Sequence, residues 1–170
     1  MKKGIILLLV VCFGIANCNA QKLRINEVDK FTKDVKQETT TETLYSVNFM
    51  ASGFINRFEF AIRKVGDDWL MPANILLQHI EKYDDNSGIT LLLDGGETIT
   101  LTTMYIGIGA KKFGNGYEFA TCFKLSPDDV AKLKAKKVTD IRVRYMGGHY
   151  DRAIKDKKQT LIQRMLALFE

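Results

Sequence analysis

Cysteine and proline are scarce in this chain, and a long apolar run occurs only at its start. The 170 residues include 3 Cys, 2 Pro and 13 Gly. These numbers exclude a disulfide-stapled scaffold, a collagen-like chain and a low-complexity chain. One ordinary globular domain remains, and with 46% hydrophobic residues it has the material for a core.

The first twenty residues have the pattern of a secretory signal peptide. Lys2 and Lys3 precede an apolar run from Gly4 to Ile15, and small or polar residues follow as far as Ala20. This pattern predicts cleavage after Ala20 and a single exported domain over residues 21–170. Since the run is too short for a transmembrane helix and no second run of about 18 apolar residues follows, the mature domain is expected to be soluble and periplasmic or secreted.

These first twenty residues, the leader, also contain a candidate site for a lipid anchor. Residues 15–18, Ile-Ala-Asn-Cys, resemble the lipobox of bacterial lipoproteins, in which the cysteine becomes the lipidated first residue. Asn17 departs from the motif, which normally has Gly, Ala or Ser there. Attachment to a membrane surface through Cys18 is therefore the alternative to cleavage after Ala20.

The charge of the mature chain is small. The leader holds two of the 25 basic residues and none of the 20 acidic ones, which leaves a net charge of +3. So small a surplus predicts no nucleic-acid partner. Cleavage also leaves Cys122 as the one cysteine, expected to be structural because no histidine adjoins it in sequence. The lysines at 155, 157 and 158 are explained as a solvated helix face, with contact to an anionic envelope or polysaccharide as the alternative.

Alternating apolar and charged residues indicate an antiparallel sheet with one buried face. The clearest strand runs from Phe54 to Val65, and a turn at Gly66 leads into Trp69. Asp94-Gly95-Gly96 predicts a second hairpin, Asn115-Gly116 a third and Gly147-Gly148 a fourth. Repeated hairpins of this kind form a β-meander.

Two helices are expected beside the sheet. Ser126 can cap a helix that has Pro127 at its first position. A C-terminal helix is predicted to begin with Asp156 as cap and Gln159 reaching back, and it carries a broad apolar stripe that must dock on the sheet.

Two segments are ambiguous. Asn74–Tyr83 suits either a strand or a helix, and the strand is favoured because its neighbours are strands. Residues 38–43 are polar and rich in threonine, which predicts either an exposed strand or a mobile loop.

Candidate functional residues are few. His149 and Asp151 would share one face of an extended segment, and an orienting carboxylate beside a histidine is part of many hydrolytic sites. A surface histidine at a polar hairpin tip explains the same residues more simply. Trp69 and Tyr150, both beside turns, are candidates for an aromatic surface that binds sugar rings.

The sequence therefore predicts an α+β fold: an antiparallel sheet, curled or folded into a small sandwich, with one short helix and a C-terminal amphipathic helix packed on it. The favoured function is a non-catalytic binding or interaction module for a glycan, an envelope component or a partner protein. A hydrolase using His149 and Asp151, or a structural assembly subunit, is the alternative. No motif indicates a cofactor or a metal site.

Overall fold

The computed structural model of the chain describes residues 21–49, 54–78, 84, 86–106, 111–113 and 116–169. Cys18 and Ala20 of the leader lie outside these residues, as do Asn115 and Tyr83. Within them the strands are β1 (Leu23–Val28), β2 (Val35–Thr39), β3 (Glu42–Phe49), β4 (Phe54–Phe60), β5 (Arg63–Val65), β6 (Asp68–Gln78), β7 (Gly88–Leu93), β8 (Thr98–Ile106), β9 (Lys111–Phe113), β10 (Gly116–Leu125), β11 (Val138–Tyr145) and β12 (Gly148–Ala153). The helices are α1 (Pro127–Ala135), α2 (Asp156–Gln159) and α3 (Leu161–Leu166), and a 3-10 turn follows at Ala167–Phe169.

The strands form one antiparallel sheet in the order β1-β2-β5-β6-β10-β8-β7-β11-β12, with β4 and then β3 branching from β6, and β9 pairing with β10. Together with the short helices, this sheet confirms the predicted α+β fold.

The sheet divides into two wings at β8. Residues 98–102 of β8 pair with β7, whereas residues 103–106 pair with β10. The first wing contains β1–β6, β9 and β10, and the second contains β7, β11 and β12. The curl at β8 brings β3, an edge of the first wing, towards β12, the edge of the second, so that the rings of Tyr45 and Tyr150 lie 6.0 Å apart between centroids.

The alternation that predicted the strands also determines which face is buried. Phe58, Phe60 and Ile62 are buried, whereas Arg57 and Glu59 of the same segment stay partly exposed on the opposite face. The core-facing side of both wings and the helices form a single apolar cluster. The predicted Asn74–Tyr83 strand is confirmed as far as Gln78, where the described part of that segment ends.

Turn chemistry explains the reversal between β7 and β8. Gly95 and Gly96 have φ values of 99° and 89°, in the region that glycine enters without steric cost. They connect β7 and β8 as the sequence predicts.

Helix α1 begins as predicted. The Ser126 side chain accepts a hydrogen bond from the Asp129 amide, the Asp129 carboxylate accepts one from the Ser126 amide, and Pro127 is the first helical residue. Leu133 of α1 is fully buried, as are four residues of α3: Leu161, Ile162, Met165 and Leu166.

The predicted start of the C-terminal helix is wrong in one detail. Asp156 is the first helical residue, and the cap position belongs to Lys155, which makes no side-chain capping bond. Gln159 does reach back, but its amide nitrogen donates to the Ile154 carbonyl and to the Asp156 carboxylate and not to a main-chain group of a capping aspartate. The helix is interrupted at Thr160, which separates α2 from α3.

The expectation of an exposed or mobile segment at 38–43 is also wrong for its first residues. Glu38 and Thr39 are buried, with 2% and 0% of their surface exposed. They lie in β2, which is paired on both sides by β1 and β5. Burial of Glu38 is possible because Arg24 and Arg63 both form ion pairs with its carboxylate.

Candidate functional site

His149 and Asp151 lie on the exposed face of β12, as their spacing predicts. His149 Nε2 is 3.8 Å from Asp151 Oδ2, and about half of each side chain is exposed. That separation is too long for a hydrogen bond. The carboxylate instead accepts two hydrogen bonds from Arg142, at 2.7 and 2.6 Å, and these hold the pKa of Asp151 below its usual value. Asp151 is therefore oriented by the arginine and not by the histidine.

A hydrolase using His149 and Asp151 would also need a nucleophile or a metal ion within reach. Among the described residues, no group of three or more His, Cys, Asp or Glu side chains is placed to hold a metal ion. Cys122 lies half-buried on β10, in the other wing, and burial raises the pKa of its thiol, which favours the protonated, less reactive form. The structure thus brings His149 together with Asp151 and Arg142, but not with Cys122.

The two aromatic candidates have different neighbours. Trp69, on β6, contacts the Phe169 ring edge-on at 5.1 Å, and the Lys64 ammonium lies 5.2 Å from the centre of its ring. Tyr150, on β12, packs beside Tyr45 of β3. Both side chains are partly buried against the core, and each ring contacts a different aromatic partner.

A groove lies where β3 approaches β12, and we call it the seam groove. It is a cavity of about 180 Å³, lined by residues 43–47 of β3, by Arg152 and Ala153 of β12, and by Lys155, Lys157 and Lys158. Leu44 and Tyr45 are buried and form an apolar floor. The lysines that the sequence explains as a solvated helix face thus line a cavity.

Both strands of the seam groove are sheet edges. In the described part of the chain, β3 pairs only with β4, and β12 pairs only with β11. The backbone N–H and C=O groups on the outer side of an edge strand have no strand partner and are available to another extended segment. A bulge at Leu44, between the paired positions Thr43 and Tyr45, adds local twist to β3.

The charge of the seam groove is positive. Its rim has four cationic side chains, Arg152 and the three lysines, and among the described residues a single ion pair of 3.9 Å joins one of them, Lys158, to Glu42. The groove therefore presents backbone hydrogen-bonding groups, an apolar floor and a basic rim together.

A second depression lies on the outward face of the second wing, and we call it the Arg144 depression. It has a volume of about 420 Å³, and its lining includes Arg144, Arg142, Asp140, Asp151 and Thr90. His149 is paired with Arg144 across the β11–β12 ladder but does not line the depression. The predicted acidic residue Asp151 therefore borders a cavity, whereas its predicted partner does not.

Sequence reasoning missed Arg152 and Tyr45 as residues that line the seam groove. One signal was present: Arg152 stands in alternation with Tyr150 and Ile154, on the core-facing side of its strand. A charged residue at such a position is typical of an edge strand. The approach of β3 to β12 had no local signal, because about a hundred residues separate them.

No family model matches the sequence, and no curated protein or solved structure is significantly similar to it. Over the residues that the structure describes, no helix has both the length and the apolar character needed to cross a membrane.

Proposed function

We propose that this chain is an exported, non-catalytic interaction domain that binds an extended, acidic segment of a partner protein in the seam groove. The observation that carries the proposal is the presence of two sheet edges, β3 and β12, in the lining of one groove. Proteins commonly bind peptides by letting them add a strand to such an edge. The backbone supplies affinity and the side-chain pockets supply specificity.

The floor of the groove favours a peptide with alternating side chains. Leu44 and Tyr45 are buried beneath it, and Val47 packs on the same core. A bound strand turns every second side chain towards this floor and the others towards the rim. Apolar residues at the first set of positions and acidic residues at the second match the two surfaces.

The positive charge of the rim favours an acidic partner. Arg152, Lys155 and Lys157 form no ion pair in the described part of the chain. A second copy of this chain would bring the same basic rim to the contact, which disfavours self-association through the groove. An acidic partner gains both attraction and faster encounter.

The part of the proposal that concerns export rests on the signal-peptide pattern of the leader. The basic start and apolar run support removal of residues 1–20, with a mature end at Gln21. The alternative is a diacylglycerol on Cys18, which would hold the domain at a membrane surface. Intact-mass measurement of the exported protein separates the two, because the lipid and the residues 18–20 that it retains change the mass in ways that cannot be confused.

Peptide binding is tested with a short synthetic peptide in which glutamate alternates with valine. Two matched peptides serve as controls: one with lysine in place of glutamate, and one N-methylated at alternate backbone nitrogens. We expect the first peptide to bind, the lysine peptide not to bind, and N-methylation to weaken binding at least about tenfold because it removes backbone donors.

Two double variants of the protein test where the peptide binds, and both change the net charge by the same amount. Arg152→Glu with Lys157→Glu should weaken binding at least about tenfold, whereas Lys137→Glu with Arg164→Glu, exposed and outside the groove, should change it little. Equal loss in both variants would show that only overall charge matters and would overturn the site. A third outcome would overturn the proposed function: the peptide does not bind, and the groove variant self-associates in sedimentation. The basic rim would then only protect the sheet edge from aggregation.

A further inference from the structure

The Arg144 depression contains an arginine whose position depends on a glycine in the neighbouring strand. Arg144 of β11 pairs with Gly88 of β7, and Gly88 pairs with Thr102 of β8. A Cβ at Gly88 would lie 2.8 Å from Arg144 Nη2 and 2.2 Å from the Leu101 carbonyl oxygen. Only glycine leaves room for the guanidinium to cross β7, where Nη2 lies 3.4 Å from that carbonyl.

The charge of this arginine is not neutralised within the described residues. Arg144 has no carboxylate partner there, and its Nε is buried without a hydrogen bond. Arg142, two residues away, is in contrast held by both oxygens of Asp151. A partly buried cation is costly unless an anion compensates it, so the setting of Arg144 favours an anionic ligand.

The other lining groups define which anion fits. Asp140 and Asp151 accept hydrogen bonds, and Thr90 offers a hydroxyl group. Two carboxylates repel a dianion such as phosphate, but they accept hydrogen bonds from the hydroxyl groups of a sugar. Leu92 and Ile141 supply apolar surface for a ring face.

We propose that the Arg144 depression binds a sugar acid, with the ligand carboxylate on the Arg144 guanidinium and the ligand hydroxyls on Asp140 and Asp151. The volume of about 420 Å³ lies within the usual range of small-ligand pockets. This site lies on the outward face of the second wing and does not depend on the seam groove. The two proposals can therefore fail separately.

The test is an NMR titration of the full mature chain with galacturonate, galactose and inorganic phosphate. We expect galacturonate to shift the amide signals of β7 and β11, with the larger changes at Arg144 and its neighbours. Galactose should bind at least about tenfold more weakly because it lacks the carboxylate. Phosphate that binds as tightly as galacturonate would contradict the assignment, because a simple anion site would then explain the data.

Two variants and one control complete the test. Arg144→Gln should remove the preference for galacturonate over galactose, and Arg144→Lys, which keeps the charge without the planar fork, should weaken galacturonate binding at least about threefold. Arg164→Gln, on the exposed side of α3 and outside the lining of both cavities, is the matched control and should leave galacturonate binding unchanged. Equal binding by the parent chain and Arg144→Gln, with both folded as judged by their spectra, would overturn the proposal, and so would an absence of shifts in the parent chain.

Discussion

At the scale of single residues, the buried carboxylate of Glu38 in β2 links its own strand to two others through ion pairs. Its side chain is 3% exposed and forms ion pairs with Arg24 of β1 and Arg63 of β5. Burial by itself would raise the pKa of this carboxyl, but the hydrogen bonds from the two arginines outweigh burial and lower the pKa below its ordinary value of 4.5. The N-terminal hairpin is thus held to the sheet by a group that must stay ionised.

This arrangement predicts an acid-sensitive contribution to stability. Because the folded-state pKa of Glu38 is lowered, its stabilisation is fully present above pH 4.5 and is lost as the pH falls through the folded-state value. Glu38→Gln should lower the free energy of unfolding by about 2 kcal/mol at pH 7. The difference between the parent chain and the variant should shrink below pH 4.5, as measured by urea unfolding at several pH values.

The matched control is Glu27→Gln in the same hairpin. Glu27 is 63% exposed and lies 3.6 Å from Lys36, so its replacement should change the free energy of unfolding by less than about 0.5 kcal/mol. A pH-independent difference for Glu38→Gln would contradict the role assigned to the ionised carboxylate.

Glu38 also shows why single residues are hard to place from sequence. It stands in a polar, threonine-rich run, which favours an exposed segment. Its burial depends on Arg24 and Arg63, which lie 14 and 25 residues away along the chain. No local pattern carries the information that these three side chains meet.

At the scale of elements, hydrophobic periodicity predicts the strands reliably, whereas capping residues predict the first residue of a helix less reliably. The buried face of β4 follows from alternation, and the hairpin at Gly95 and Gly96 follows from turn chemistry. Ser126 caps α1 because proline and two acidic residues follow it, all of which favour the same start. Asp156 has fewer supporting neighbours, and its carboxylate interacts with the Gln159 side chain instead.

The C-terminal helix α3 should be essential for stability. Leu161 is fully buried in the core that both wings share. Leu161→Ala should lower the free energy of unfolding by about 2–5 kcal/mol, from lost burial and the resulting cavity. Arg164→Ala, on the exposed side of the same helix, should lower it by less than about 0.5 kcal/mol. Similar losses for the two variants in urea unfolding would show that α3 does not pack on the sheet as described.

At the scale of the whole molecule, the curl of the sheet creates the seam groove. Local patterns predicted the strands, but the pairing order could not be predicted, because the paired residues of β6 and β10 are 38 to 56 positions apart and β3 approaches β12 across about a hundred. The lysines at 155, 157 and 158 illustrate the consequence. In sequence they are a charged run, and only the approach of β3 turns them into one rim of a groove.

Amide hydrogen exchange with and without the alternating glutamate–valine peptide tests the proposed function most directly. A peptide that adds a strand must protect backbone amides along residues 43–47 of β3 or at Arg152 and Ala153 of β12, and it should leave those of the paired β6 and β10 unchanged. Protection at these edges, absent with the N-methylated peptide, is the predicted result. Saturating peptide that leaves both edges exchanging at their free rates would contradict strand addition in the seam groove.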